Sequence, residues 1–211
     1  ADTFFFLYKK AEQKKGVDDY GIIGSQTSEK NIYKPVWNNQ VEALKDVTFS
    51  MEEGEYTAVM GESGSGKTTL LNLLARLTGD FGDIILNGLP FRKIQDKDLA
   101  VYRRKNLGFV FQDFNLLDTL SVRDNIFSSR ACREKTEEMK KRLSPLVKVL
   151  RISDLLDKFP YEISGGQKQR TAIARALITE PKLILADETD RALDSRASMN
   201  CCICLSRSIR R

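Results

Sequence analysis

The sequence predicts an α/β domain: a mainly parallel sheet with helices over both faces. Three observations carry this. Short apolar runs at residues 56–60, 107–111 and 183–186 alternate with longer, more polar stretches, the pattern of strands separated by crossover helices. A glycine-rich loop at residues 61–66 joins the first of these runs to a helix-forming segment. The 211 residues, 41% hydrophobic and 30% charged, suffice for a single sizeable core.

The elements follow in order. Residues 1–30 read as a tail, with a hydrophobic start, a charged stretch at 9–19, a polar one at 24–30 and a single strand expected at Gly21-Ile22-Ile23. Phe4-Phe5-Phe6-Leu7 is too short to cross a bilayer, which takes about 20 apolar residues, and Lys9 and Lys10 follow it. With no recognisable signal peptide, any membrane association is expected to come through a partner. Residues 47–51 alternate apolar and polar as a half-buried strand does, and Glu53-Gly54 marks a turn. Residues 56–60 form a buried strand, and 67–77 a helix. Residues 84–86 are a strand closed by the Asn87-Gly88 turn, and 107–111 another strand. Residues 113–163 are mostly helical. Ser121 caps a helix starting at Val122, and 134–150 is a charged amphipathic helix interrupted near Ser144-Pro145. Ser164 opens a helix that reaches about Thr179 and stops before Pro181. Residues 183–186 are a continuous apolar strand.

Charge is mixed: 34 basic against 29 acidic residues leave +5. That suits a polyanionic ligand or an anionic surface without demanding either, and no basic run interleaved with aromatics argues for nucleic acid. Cys132, Cys201, Cys202 and Cys204 lack zinc-site spacing and there is no histidine. They read as free thiols of a reducing compartment.

Gly61-Glu62-Ser63-Gly64-Ser65-Gly66-Lys67-Thr68 matches G-x-x-x-x-G-K-[ST] without a gap, and Thr69 completes it. Glycines let the backbone curl so that successive N–H groups converge on one anion. The helix opening at Lys67 adds the positive end of its dipole. The Lys67 ammonium reaches the β- and γ-phosphates, and the Thr68 hydroxyl ligates Mg²⁺. The alternative, a flexible Gly/Ser turn with an incidental lysine, is countered by the apolar strand before the loop and the helix after it. The loop binds a nucleoside triphosphate.

Three further stretches bear on that ligand. The strand at 183–186 delivers Asp187 and Glu188 at its C-terminal end, where open α/β sheets place ligands. Asp187 then holds Mg²⁺, directly or through water, and Glu188 polarises the attacking water as general base. Standing alone, that strand end is equally an acidic turn in solvent. Ser164-Gly165-Gly166-Gln167 is by itself a serine cap with flexible glycines, which would also let an anion approach the helix start. Gln112, just past the 107–111 strand, is by itself a loop glutamine.

Together and in this order, the phosphate loop, Gln112, Ser164-Gly165-Gly166-Gln167 and 183–188 resemble the nucleotide-binding domain of ABC-type ATPases, over about residues 33–198. The resemblance implies a P-loop NTPase fold with an antiparallel β subdomain and a helical subdomain at about 113–163. The ATP-binding domain covers 31–211. It further implies ATP and Mg²⁺ as ligands, and a second copy whose 164–167 stretch faces the phosphate loop, Ser164 and Gly166 contacting the γ-phosphate in trans. Gln112 matches the glutamine that links metal and water to the helical subdomain. Asp194 matches the aspartate that communicates across the dimer. Tyr33 resembles the aromatic that stacks on adenine, although Trp37 is nearby and an ordinary strand-end tyrosine is an equally good reading. The implied partner is a transmembrane permease contacting the helical subdomain, with this chain at the cytoplasmic face of the membrane. The stretch at 103–117 looks like exporters of antimicrobial peptides, lipoproteins and macrolides, and 113–120 with 161–164 is most similar to bacitracin-type transporters.

Two departures set further expectations. The family reads Asp-Glu-Pro-Thr-Gly where this chain has Asp187-Glu188-Thr189-Asp190-Arg191, losing a fixed φ beside the glutamate and a glycine at Arg191. The family also carries a histidine on a later strand, which lies between the phosphate-loop strand and the 183–186 strand. This chain has no histidine and ends before that strand, so a gap is expected in the centre of the sheet. Cys201-Cys202-Ile203-Cys204 suggests a truncated or frame-shifted end. The expectation is a chain that binds ATP and Mg²⁺, turns over weakly or not at all, and has low stability alone. The competing readings are a non-hydrolysing module and a soluble ABC-type ATPase of DNA repair or translation. The latter usually carries an insertion or second domain that 211 residues leave no room for.

Overall fold

Strand pairing decides the centre of this molecule, and it draws on a segment that reads as a tail. In the computed structural model, described over residues 3–9, 44, 47–52, 54–77, 83–86, 88–128 and 136–188, strand β1 (Thr3–Lys9) lies between β2 (Tyr56–Gly61) and β6 (Leu183–Glu188). The order is β2-β1-β6-β5, with β5 at Leu107–Val110. β5 and β6 are parallel, and β1 is antiparallel to both β2 and β6. Thus β2, β6 and β5 keep one direction while β1 runs against it.

The gap expected between the phosphate-loop strand and the 183–186 strand is therefore filled, by residues 3–9 and not by a later strand. The physical reason is legible afterwards. Thr-Phe-Phe-Phe-Leu-Tyr is among the most β-prone runs in the chain, and a continuous apolar run suits a strand covered on both faces. The edges of β2 and β6 otherwise present unpaired N–H and C=O groups inside the fold. Weighed only as a membrane span, the run failed on length, and its strand character went unread. The strand expected at 21–23 lies outside the described residues.

Helix α1 spans Lys67–Leu74 and ends short of Leu77, where Arg76 turns left-handed at φ 50. Residues 47–51 alternate in burial as expected, ending on the buried Met51, but pair with no strand among the described residues. A hairpin of β3 (Ile85–Leu86) and β4 (Leu89–Pro90) turns at Gly88. Helix α2 (Asp96–Asn106) was missed, because it buries no residue and has no apolar stripe to announce it. Its acidic first turn and basic last turn complement the helix dipole instead.

Beyond β5 come α3 (Val122–Phe127), α4 (Thr136–Val149) and α5 (Gly165–Leu177). The break expected at Ser144-Pro145 is absent: α4 runs through Pro145. A proline inside a helix costs about 3 kcal/mol, and burial of Met139, Leu143 and Val147 along one face, with Leu150 just past its end, offsets it.

Strand β6 shows how the sheet is covered. Ile184 and Ala186 belong to a cluster formed with α3, α4 and α5, while Leu183 and Leu185 join the cluster of α1 and residues 84–91. Alternate residues thus face opposite layers, as a sheet buried on both sides requires. Close approach of β5 to α5 depends on Gly108, where an added Cβ would lie 2.7 Å from the Ala176 carbonyl oxygen and 2.8 Å from Pro181 Cγ. Gly108→Ala is expected to destabilise the protein by about 1–3 kcal/mol through overpacking. Urea unfolding checks this, and an unchanged midpoint would show that β5 can shift freely.

Candidate functional site

The phosphate loop leaves β2 at Gly61 and enters α1 at Lys67. Two tight turns are needed, and Gly64 and Gly66 supply them at φ 85 and 86, a region that costs other residues about 1–2 kcal/mol. Gly66 is also the cap of α1, with no side-chain cap bond. The first N–H groups of that helix are therefore left for a ligand. A Cβ at Gly61 would sit 2.8 Å from Ser65 Oγ, so a larger residue there would turn that hydroxyl away from its present place.

Lys67 is only 7% exposed. Its ammonium donates to the Gly61 carbonyl at 2.7 Å, to Ser65 Oγ at 2.9 Å and to the Glu62 carbonyl. Three donors meet three acceptors, so the charge is held inside the loop it serves.

The second half of the site arrives on β6. Thr68 Oγ1 donates to Asp187 Oδ2 at 3.5 Å, across 119 residues of sequence. This brings together the hydroxyl and the carboxylate that the sequence assigned to one metal. Both are hard oxygen donors, as Mg²⁺ prefers, and Mg²⁺ commonly takes one or two protein oxygens and completes its shell with water and phosphate. The donor set fits. Among the described residues no cluster of three acidic, cysteine or histidine side chains offers a different metal site.

Burial pushes the Asp187 carboxyl above the usual aspartate range, opposed by the Thr68 hydrogen bond and the Lys67 charge. A raised folded-state value means that the native state holds its proton more tightly than the unfolded chain does. Stability from this group is therefore greatest at acid pH and is lost as pH rises through the folded value. Asp187→Asn keeps an acceptor for Thr68 and removes the desolvated charge. It is expected to raise the melting temperature of the ligand-free protein at neutral pH while weakening Mg²⁺-dependent nucleotide binding. Melts with and without Mg-ATP test both halves, and a lowered ligand-free melting temperature would contradict the first.

Glu188 ends β6, its backbone opposite Phe4. Gln112 is exposed, two residues beyond Val110, which pairs in parallel with Ala186. Gln112 and the Asp187-Glu188 pair therefore leave the sheet at the same end, as does Gly61. This is the carboxyl end of the parallel strands, where the sequence placed the ligand.

Ser164 caps α5 through a reciprocal box. Its Oγ accepts from the Gln167 N–H at 3.4 Å, and Gln167 Oε1 accepts from the Ser164 N–H at 2.8 Å. The capping reading of this stretch is thus correct as far as it goes. It leaves the glycines unexplained: among the described residues a Cβ at Gly165 would meet nothing within 4 Å, and at Gly166 only Arg170 Nη1 at 3.7 Å. Ser164, Gly165 and Gly166 are exposed and lie apart from the Lys67 contacts. Tyr33, Asp194, residues 189–191 and the four cysteines lie outside the described residues.

Two residues that the sequence reading passed over shape the stretch after Gln112. Asn125 is fully buried, accepting from the Leu117 N–H at 2.8 Å and donating to the carbonyls of Leu117 and Leu120, each at 3.0 Å. Arg175 of α5 donates to the carbonyls of Phe114 and Asn115, each at 2.5 Å. A buried asparagine and a helix arginine carry no local pattern that announces such roles.

A family profile described as "ABC transporter" matches residues 44–191. The chain is 52% identical over 159 residues to the ABC transporter ATP-binding protein YxdL of Bacillus subtilis, covering 74% of this chain and 62% of that protein. It is 44% identical over 165 residues to the bacitracin export ATP-binding protein BceA of Halalkalibacterium halodurans, covering 76% and 64%. A dimeric structure of the ATP-binding cassette MJ0796 in a post-hydrolysis state, bound to ADP and Pi, superposes with a TM-score of 0.57 at 29% identity, covering 84% of this chain and 70% of that one. The matched segments thus span under two thirds of the length of these two curated relatives.

Proposed function

The chain belongs to the ABC transporter family, and from that premise we propose that it binds Mg-ATP and hydrolyses it to drive a separate membrane permease. The observation that carries the proposal is the meeting of Thr68 and Asp187 at 3.5 Å beside the buried Lys67. A carboxylate on one strand and the phosphate loop of another converge on one point.

In this reading Gly61, Ser63, Gly64, Ser65, Gly66 and Thr69 cradle the phosphates with backbone and hydroxyl donors, and Lys67 neutralises their charge. Thr68, Asp187 and Gln112 hold Mg²⁺, which supplies Lewis-acid polarisation of the phosphate oxygens. Glu188 takes the proton of the attacking water, and Tyr33 stacks on the adenine. The exposed glycines of α5, which nothing among the described residues requires to be small, serve the γ-phosphate of a second copy together with Ser164 and Gln167. Asp194 works across that same interface. The dimeric MJ0796 cassette supports such a pairing.

Among the described residues no helix is long and apolar enough to cross a membrane. In the proposal the permease holds the chain at the cytoplasmic face, and the likeness to BceA favours export of antimicrobial peptides. Turnover is expected to be slow, because Thr189-Asp190-Arg191 stands beside Glu188. Steady-state phosphate release tests the reading: Mg-ATP turnover that vanishes in Glu188→Gln, with ATP binding retained, is the expected result. Binding without any turnover in the unmodified chain would overturn hydrolysis.

A further inference from the structure

We infer that Arg175 is the positioning residue for Gln112, holding the turn that carries it from the same helix that begins with Ser164-Gly165-Gly166-Gln167. This rests on the reading of Gln112 as part of the ATP site.

Gln112 is the second residue of a turn closed by the Phe114 N–H on the Phe111 carbonyl at 3.0 Å. The residue that closes the turn and the one after it are both left-handed, Phe114 at φ 58 and Asn115 at φ 45. Asparagine tolerates that region; a bulky phenylalanine is a genuine outlier there, and two such residues in succession are unfavourable. The Phe114 ring packs against the helical cluster, which fixes its side chain but not its carbonyl.

Both carbonyls are gripped by one guanidinium: Arg175 Nη2 donates to Phe114 and Nη1 to Asn115, each at 2.5 Å. A planar fork suits two adjacent acceptors in a way that a single ammonium does not. Burial disfavours the charged form of this guanidinium, and no carboxylate among the described residues pairs with it. Its partners are the two carbonyls of the strained turn.

Packing alone does not hold that turn. Asn115 is exposed, and beside it the surface opens into a cavity of about 340 Å³ walled by Arg103, Arg104, Phe109, Phe111 and Arg175. On the inner side, β5 rests on the next residue of α5, with room for no Cβ between Gly108 and the Ala176 carbonyl. Residues 175 and 176 thus fix both the strand before Gln112 and the turn after it. Helix α5 then runs rigidly for about 15 Å back to Gly165, so the Gln112 turn and the 164–167 stretch move as one body.

Arg175→Lys in the full chain keeps the cation and loses the fork. Amide hydrogen exchange of residues 112–117 is expected to rise about tenfold or more, the equivalent of one lost charge-assisted bond, with α1 and β6 unchanged. Mg-ATP turnover is expected to fall about tenfold by the same loss, with the KM for ATP within about threefold because the phosphate loop is untouched. Adding Asn115→Gly, which accepts a positive φ without strain, is expected to restore most of the turnover. Unchanged exchange at 112–117 would overturn the clamp whatever the turnover. So would a uniform rise across α5 and β6, which marks general loosening. Raised exchange with unaltered turnover would overturn the positioning role. An unmodified chain without turnover would remove the reading of the ATP site instead, and exchange alone would still decide whether Arg175 holds the turn.

Discussion

Lys67→Ala is expected to weaken Mg-ATP binding by about two orders of magnitude or more, the loss of charge-assisted bonds to two phosphates. The side chain is 7% exposed and makes three hydrogen bonds inside its own loop. Truncation therefore removes the cation and also takes its donor from the Gly61 carbonyl, while the Glu62 carbonyl keeps the Ser65 N–H at 3.2 Å. Lys67→Arg is not expected to rescue, because a planar fork does not fit a pocket closed by acceptors 2.7 and 2.9 Å from Nζ. The stabilisation that Mg-ATP confers in a thermal melt measures the effect directly. Glu188→Gln is the contrast, since it is expected to retain that stabilisation and lose only turnover. Lys67→Ala melting with the same ATP-induced shift as the unmodified chain would take the loop out of nucleotide binding.

Phe6→Pro is the second large effect, and it acts through the backbone. Phe6 is the middle of β1 and pairs with Ala58 on one side and Ala186 on the other. Proline has no N–H to give the ladder and is all but excluded from central strands, at a cost of about 3 kcal/mol or more. For a chain of this size that lowers the melting temperature by about 6–12 °C. Function is expected to suffer with stability. Thr3 pairs with Gly61 and Phe5 with Asp187, so β1 spaces the phosphate loop from the Asp187 carboxylate. The Mg-ATP shift is therefore expected to shrink as well. A Phe6→Pro chain that melts like the unmodified one would mean that β1 is not the centre of the sheet.

These two predictions differ in how much of their basis was legible beforehand. The loop at 61–69 was readable residue by residue, because its geometry depends on neighbours in the chain. Glycines at 64 and 66 turn the backbone, and the helix that follows points its N–H groups. Asp187 and Glu188 were readable once the loop was in hand, since a buried strand can deliver carboxylates only at its end. The serine cap at 164 was equally local. None of this required knowing what packs on what.

Arg175 and β1 were not readable in that way. Arg175 is one of many basic residues on helices, and its importance comes from two carbonyls some 60 residues earlier. Similarly, Pro145 reads as a break until the buried face of α4 is known.

The sequence by itself determined the α/β class, the phosphate loop, the acidic strand end at Asp187-Glu188 and the family. These follow from short-range backbone geometry and from residue types at fixed spacing. Only the tertiary structure decided that residues 3–9 form the strand between β2 and β6. Hydrophobicity says that a run will be buried but not beside which edges, and pairing between distant strands is settled only by which open ladder it can close.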